Sequence, residues 1–179
     1  QVAGLGVMIE YDSRDNRFNT SSGALLNATW SGSDEAIGSD FDFTTGKADY
    51  NFYHQLKPGK IIAGRGTLCM TPGDAPFYAL CKFGQGVDLR GYVGGRFRDE
   101  RMATFQAEYR WKFAKRWGAV AFAGFGEVAP SWEEFTLDDV LPSAGVGLRF
   151  KLSKTTGLNL SVDYAVGQDS DAWYFYVGE

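Results

Sequence analysis

The one histidine among 179 residues, His54, lies in NFYHQLKPG beside a turn. A Ser-His-Asp site would need it, but a solvated rim residue is the reading its place supports. Cys69 and Cys81 bracket MTPGDAPFYAL, which holds Pro-Gly-Asp turn chemistry. In an oxidising compartment a disulfide closing this short loop is expected; the alternative is two unpaired small hydrophobes. Metal binding needs more ligands than two cysteines with no histidine nearby. Glu133–Glu134 and Asp138–Asp139 read as loop solvation, with weak cation binding as the alternative. Arg90-Gly91-Tyr92-Val93 shares part of the RNP1 spelling, but the aromatic follow-on is wrong. A net charge of −4 without a basic run also argues against nucleic acid. The glycine doublets precede no helix, so phosphate-cradle readings fail. The residues thus point to no metal, no cofactor and no enzyme chemistry.

What could position them is a sheet. From Ser143 the chain reads SAGVGLRFKL, turns at SKTTG, and continues LNLSVDYAV and WYFYVGE. Val146, Leu148, Phe150 and Leu152 share one face, and Gly145, Gly147, Arg149 and Lys151 share the other. Leu158, Leu160, Val162, Tyr164 and Val166 likewise oppose Asn159, Ser161, Asp163 and Ala165. Successive strand residues point to opposite faces, so one side of this sheet is apolar and the other polar and charged. The segments approach the roughly 9–11 residues that a tilted strand needs to cross a bilayer. The apolar sides are aromatic-rich, as in an outer-membrane β-barrel wall. Phe 14, Tyr 9, Trp 5 and Gly 23 suit close-packed antiparallel strands better than helices. No run of eighteen apolar residues offers a transmembrane helix.

Nine segments carry the period-two pattern, at about 3–12, 23–31, 40–55, 60–69, 102–113, 118–128, 143–152, 157–166 and 172–179. The fifth is clearest: Phe105, Ala107, Tyr109, Trp111 and Phe113 oppose Gln106, Glu108, Arg110 and Lys112. The fourth is weakest. In the third, Ala48, Tyr50 and Phe52 face outward while Phe41 and Phe43 fall on the other parity, a shift that a bulge would explain. LKPGK, AKRWG and SKTTG are tight links, whereas 31–39, 70–100, 129–142 and 167–171 are longer or more polar. Short turns at one rim and long loops at the other match the two ends of a membrane barrel. DSRDNRFNTSSG is long for the short-turn rim. The tryptophans mostly lie near segment ends, where interfacial girdles are expected. Nine strands is odd where single-chain barrels have even counts. The expectation is therefore one domain, 1–179, forming part of a larger barrel of 12–16 strands and lacking its signal peptide.

The loop at 70–100 is too long for a passive turn. Within FGQGVDLRGYVGGRFRDER, Leu89-Arg90-Gly91-Tyr92 resembles the VRGF/LRGY motif on the sixth extracellular loop of the Omp85 (BamA/TamA) superfamily. Gly95-Arg96-Phe97-Arg98-Asp99 is similar to the continuation of that motif. Tyr11-Asp12-Ser13-Arg14-Asp15-Asn16, with Asn19, Ser22 and Gly23, resembles the family's YDTRDNPF…NPTSG segment. Pro142 to Phe150 and Val162 to Ala165 resemble its closing strands.

The resemblance implies an antiparallel, up-and-down transmembrane barrel whose loop folds into the lumen. Arg90 is then the docking cation, Gly91 gives backbone clearance and Tyr92 packs alongside. An arginine in a polar lumen needs acidic or aromatic partners, because its charge cannot be shed. Glu108, Asp163 and, if its parity is lumenal, Glu127 are the candidates. One departure stands out: Gly124 occupies the place of the aspartate common in the family's F-x-D-A-G-x-V strand, so the usual partner is absent or relocated. The resemblance further implies the Gram-negative outer membrane, contact with its lipid and lipopolysaccharide, and a role in inserting or translocating nascent outer-membrane proteins. A POTRA-less pore, scaffold or homodimerising barrel is one alternative, and the membrane anchor of a patatin-like enzyme domain is another. A soluble lipocalin-like barrel, with its apolar residues inside, is the non-membrane rival.

Overall fold

The computed structural model describes residues 1–84, 88–136, 138–153 and 158–177. The strands are β1 (Gly4–Asp12), β2 (Gly23–Ser33), β3 (Phe43–Lys57), β4 (Lys60–Met70), β5 (Cys81–Lys82), β6 (Arg98–Asp99), β7 (Arg101–Lys112), β8 (Trp117–Ala129), β9 (Leu141–Lys151), β10 (Asn159–Gly167) and β11 (Ser170–Val177). Nine of them form one antiparallel meander, ordered β1-β2-β3-β4-β7-β8-β9-β10-β11, while β5 and β6 make a separate two-residue ladder inside the 71–100 loop. Pairing is long and regular, as from Arg101↔Ala129 to Lys112↔Gly118 between β7 and β8. β1 and β11 are the two edges. Every interior strand satisfies its backbone polar groups through neighbours, as a bilayer requires.

Burial is inverted relative to a soluble barrel. Leu5, Val7, Trp30, Leu68, Phe125, Val146 and Phe175 are exposed, whereas Thr67, Gln106, Glu108, Arg149, Ser161 and Asp163 are buried. The lipocalin-like alternative requires the opposite and is excluded. β7 shows the alternation most cleanly, with Thr104, Gln106 and Glu108 buried between exposed Phe105, Ala107 and Tyr109.

The structure corrects one local expectation and details two links. The β2–β3 register runs unbroken from Ser33↔Phe43 to Gly23↔Tyr53, so no bulge explains the parity of Phe43. Phe43 instead faces inward and is buried where the chain bridges Phe43 to Gly73. The irregularity in β3 lies at Gln55/Lys57, next to the turn. The link at 167–171, expected to be longer or more polar than the tight turns, is polar but short, a hairpin between the paired Gly167 and Ser170 with Asp169 at φ 53. At the other rim, the long 13–22 link is folded by its own side chains. Asp15 accepts the Ser21 N–H at 2.9 Å, and Asn16 accepts those of Phe18 and Asn19 at 2.8 and 3.0 Å. The inner part of the SKTTG turn and the last two residues of the ninth segment lie outside the described residues.

The two-faced wall makes a direct prediction. Val146 is 60% exposed at the middle of β9. Val146→Arg is expected to cost about 2–4 kcal/mol of folding free energy in lipid vesicles, the range for a cation at the bilayer midplane. Denaturant unfolding in vesicles measures this, and an unchanged midpoint would remove β9 from the lipid-facing wall.

Candidate functional site

The inward rows of β7, β9 and β10 bring charge together at the level where the 71–100 loop enters. Period two puts Gln106, Glu108 and Arg110 on one row, Arg149 on the second and Asp163 on the third. Gly147 pairs with Asp163, and a Cβ at Gly147 would fall 1.8 Å from the Asp163 Oδ1, so only glycine there leaves room for the carboxylate.

Arg90 fills the centre of this arrangement and is 6% exposed. One amino group donates to Glu108 at 2.5 Å and the other to Asp163 at 2.5 Å. Its guanidinium carbon stands 3.5 Å above the centre of the Phe122 ring, close enough for cation–π attraction. Nε and the backbone N–H of Arg90 both donate to the side-chain Oε1 of Gln106, at 3.3 and 3.4 Å, and the Arg90 backbone carbonyl accepts the Ser143 hydroxyl. A second layer holds the two carboxylates. Arg110 donates to Glu108 at 2.5 Å, while Arg149 and the Tyr176 hydroxyl both donate to Asp163.

The neighbours of Arg90 complete the dock. Gly91 has φ 102, and a Cβ there would meet the Val166 backbone at 2.9 Å, so both conformation and clearance demand glycine. Its N–H donates to the Tyr174 hydroxyl at 2.8 Å, and its carbonyl accepts the Ser170 hydroxyl at 2.5 Å. The Tyr92 hydroxyl donates to the Pro142 carbonyl at 2.5 Å and accepts the Gln168 N–H at 3.0 Å. Leu89 is fully buried over Gly124, where a Cβ would lie 2.6 Å from its Cδ1. Glycine at the family's usual aspartate position thus seats an apolar side chain, and the carboxylates that hold Arg90 come from β7 and β10.

The rest of the motif shapes the loop rather than the dock. Gly95 donates its N–H to the Phe83 carbonyl at 2.8 Å and accepts the Arg98 guanidinium at 2.7 Å. Arg96 donates to the Asp169 carbonyl at 3.2 Å, and Asp99 pairs with Cys81 in the short ladder. Phe83, Tyr92 and Phe97 meet edge-to-face, with centroids 5.0–6.2 Å apart, and pack with Leu89, Met102 and Leu141 into a small apolar core. Cys69 on β4 and Cys81 are disulfide-bonded with Cα atoms 5.8 Å apart, which ties the loop base to the wall. Glu127 does not join the dock. It shares the outward parity of Phe125 on β8, and its carboxylate accepts the Thr136 N–H at 2.8 Å.

Two loop groups have altered acidity. Burial pushes the Asp88 carboxyl up, against backbone hydrogen bonds from Leu89 and Gly84 that lower it. Burial also raises the Tyr92 phenol above its usual 10.0. Phe122, Gln106, Ser143, Arg149, Tyr174 and Tyr176 belong to the dock although the motif does not name them. Inward parity could have flagged Arg149 and Gln106. WYFYV gave no such signal, because both of its parities carry large aromatics.

A membrane-type antiparallel wall with a loop locked into its polar face is the architecture of a section of transmembrane β-barrel wall carrying an inward-docked loop. Residues 3–179 match the Omp85 superfamily domain, and the chain belongs to that family. It is similar to the outer membrane protein assembly factor BamA of Nitratidesulfovibrio vulgaris (strain Hildenborough), at 33% identity over 134 residues, covering 64% of this chain and 17% of that protein. Its fold also matches the crystal structure of BamA from Haemophilus ducreyi lacking POTRA domains 1-3, with a TM-score of 0.76 at 19% identity. That match covers 97% of this chain and 41% of the other.

Removing the central cation leaves two carboxylates crowded in the lumen. Arg90→Ala is expected to destabilise by about 3–5 kcal/mol, the scale for breaking a buried pair, and to expose the 82–98 segment to protease. Arg90→Lys keeps the charge but loses the two-armed reach and should fall between. An unaltered protease pattern in Arg90→Ala would show that the loop stays without its arginine. The Tyr92 shift has a sign as well. A phenol whose folded pKa is raised binds its proton more tightly when folded, so its contribution is present below pH 10 and lost as pH climbs past it. Loop protection should therefore fall in strong alkali in the parent protein. Tyr92→Phe should show less of that dependence.

Proposed function

We propose that this chain is the membrane wall and plug of an outer-membrane machine that inserts or translocates nascent β-barrel proteins in a Gram-negative bacterium. The reading assigns it no reaction of its own. The observation that carries it is the Arg90 dock, because a loop held inside the lumen by two carboxylates closes the pore as a route while leaving the wall free to act at its edges. Family membership and the similarity to an outer membrane protein assembly factor support the same class. In mechanism, a strand edge of such a wall that lacks a neighbour offers free backbone groups, and an incoming strand gains hydrogen bonds there as it leaves water. Nascent outer-membrane polypeptides are the partners under this reading, with the surrounding lipid as solvent for the exposed face.

The test is reconstitution of the full-length protein into vesicles with a urea-unfolded small barrel as client. Client insertion, read by protease protection, should run faster than in empty vesicles. Photo-crosslinkers placed in turn at lipid-facing positions of the wall, such as Phe125 on β8, Val146 on β9 and Phe175 on β11, should capture client strands from at least one of them. Insertion at the empty-vesicle rate, with crosslinks to lipid alone, would sink the reading in favour of a passive scaffold or anchor.

A further inference from the structure

Charge is segregated along the barrel axis in a way that the net charge of −4 conceals. The long-loop rim carries acids such as Asp34, Glu35, Glu133, Glu134, Asp138 and Asp139. The short-turn rim carries Lys57, Lys60, Lys112, Lys115, Arg116 and Lys151. Between the dock and that basic rim lies a lumenal cavity of about 210 Å³. Arg110, Lys112, Arg116, Arg149 and Lys151 line it, and no carboxylate does among the described residues.

These cations converge through the ladder rather than through the sequence. Lys112 follows Arg110 on the inward row of β7, and Lys151 follows Arg149 on that of β9. Arg116 comes from the turn between β7 and β8, and its carbonyl accepts the Lys151 N–H at 2.8 Å, which fixes the two segments side by side. The 13–22 loop reaches across the same space, where Asn159 donates to the Asn19 side chain at 3.5 Å. Of the carboxylates around it, Glu108 and Asp163 already hold Arg90 as well as Arg110 and Arg149, and Asp15 is taken up by the backbone N–H and hydroxyl of Ser21. Among the described residues cations therefore outnumber anions around this space, and a wall of low polarisability keeps them from being fully screened.

We propose that this vestibule is a binding site for a compact, multiply charged anion of the phosphate type. A phosphate presents several oxygens to several donors at once, which matches guanidinium and ammonium groups arriving from two strands and a turn. The phosphate could come from a lipid headgroup or from a free ion, and both offer the same chemistry to the site. The site adjoins the Arg90 dock, with Arg110 and Arg149 between the two, and is independent of any assembly role.

The experiment is calorimetric titration of the purified full-length protein in a neutral detergent, with inorganic pyrophosphate in one arm and dihexanoyl phosphatidylglycerol in the other. Saturable binding that weakens with added salt is expected. Lys112→Gln combined with Arg116→Gln should weaken it by about tenfold or more. Lys57→Gln, at the same rim but outside the cavity lining, should leave it unchanged. Heat-modifiable gel mobility checks that each variant is folded, and Arg116→Gln alone serves if the pair is not. Binding of both ligands, lost in the variant, assigns the site to phosphate from either source. Binding of the lipid alone, lost in the variant, assigns it to a headgroup. No saturable binding in either arm, or binding that the cavity variants do not weaken, overturns the proposal.

Discussion

A guanidinium cannot give up its proton, so an arginine carried into a barrel must be met there by charge or by an aromatic face. Arg90 is met by both: Glu108 and Asp163 on opposite sides and the Phe122 ring beneath. Much of the lumen follows from that demand. Glu108 and Asp163 need their own counter-cations, which Arg110 and Arg149 supply. Asp163 needs space, which Gly147 leaves. The loop backbone must come within contact of β10, which Gly91 permits. Taking away any one member leaves a charge or a void that the others were arranged around, so the cluster behaves as a unit.

The wall was largely legible in the sequence, because lipid on one side and polar groups on the other write the period of two directly into the chain. Where the pattern faded, the structure gives the reason. β4 looked weak because Gly64 and Gly66 stand at outward positions, and the Phe52 ring from β3 lies across the first of them. Phe43 broke parity because it lies under a loop rather than against lipid. Glu127 could not be assigned because β8 carries small or apolar residues on both faces until its last turn. The dock itself was half legible. A motif can name Arg90, and parity can name Glu108 and Asp163, but the participation of Tyr174, Tyr176 and Ser143 depends on register between strands far apart in sequence. The basic vestibule was invisible for the same reason, since its cations are scattered and no basic run exists.

The same ladder serves both ends of the lumen. Inward rows of β7 and β9 begin with small or neutral side chains near the long loops, pass through the Arg90 cluster, and end in arginine and lysine at the short turns, while that of β10 runs from Ala165 through Asp163 to Ser161 and Asn159. A single set of strand registers therefore fixes the plug, its counter-charges and the cation-rich mouth in one rigid body. Small shifts in strand pairing would disturb all three at once.

The Cys69–Cys81 bond gives the plug a property that charge alone would not. It fastens the loop base to β4, while the docking tip some ten residues further on is held by reversible contacts. The chain already tethers the tip at Met70 and Arg101, and the bond shortens the free segment, so a tip that lets go meets its berth again at a higher local concentration than an uncrosslinked loop would give. Opening would then be brief by construction, with the leash setting how far the latch can swing and how soon it returns.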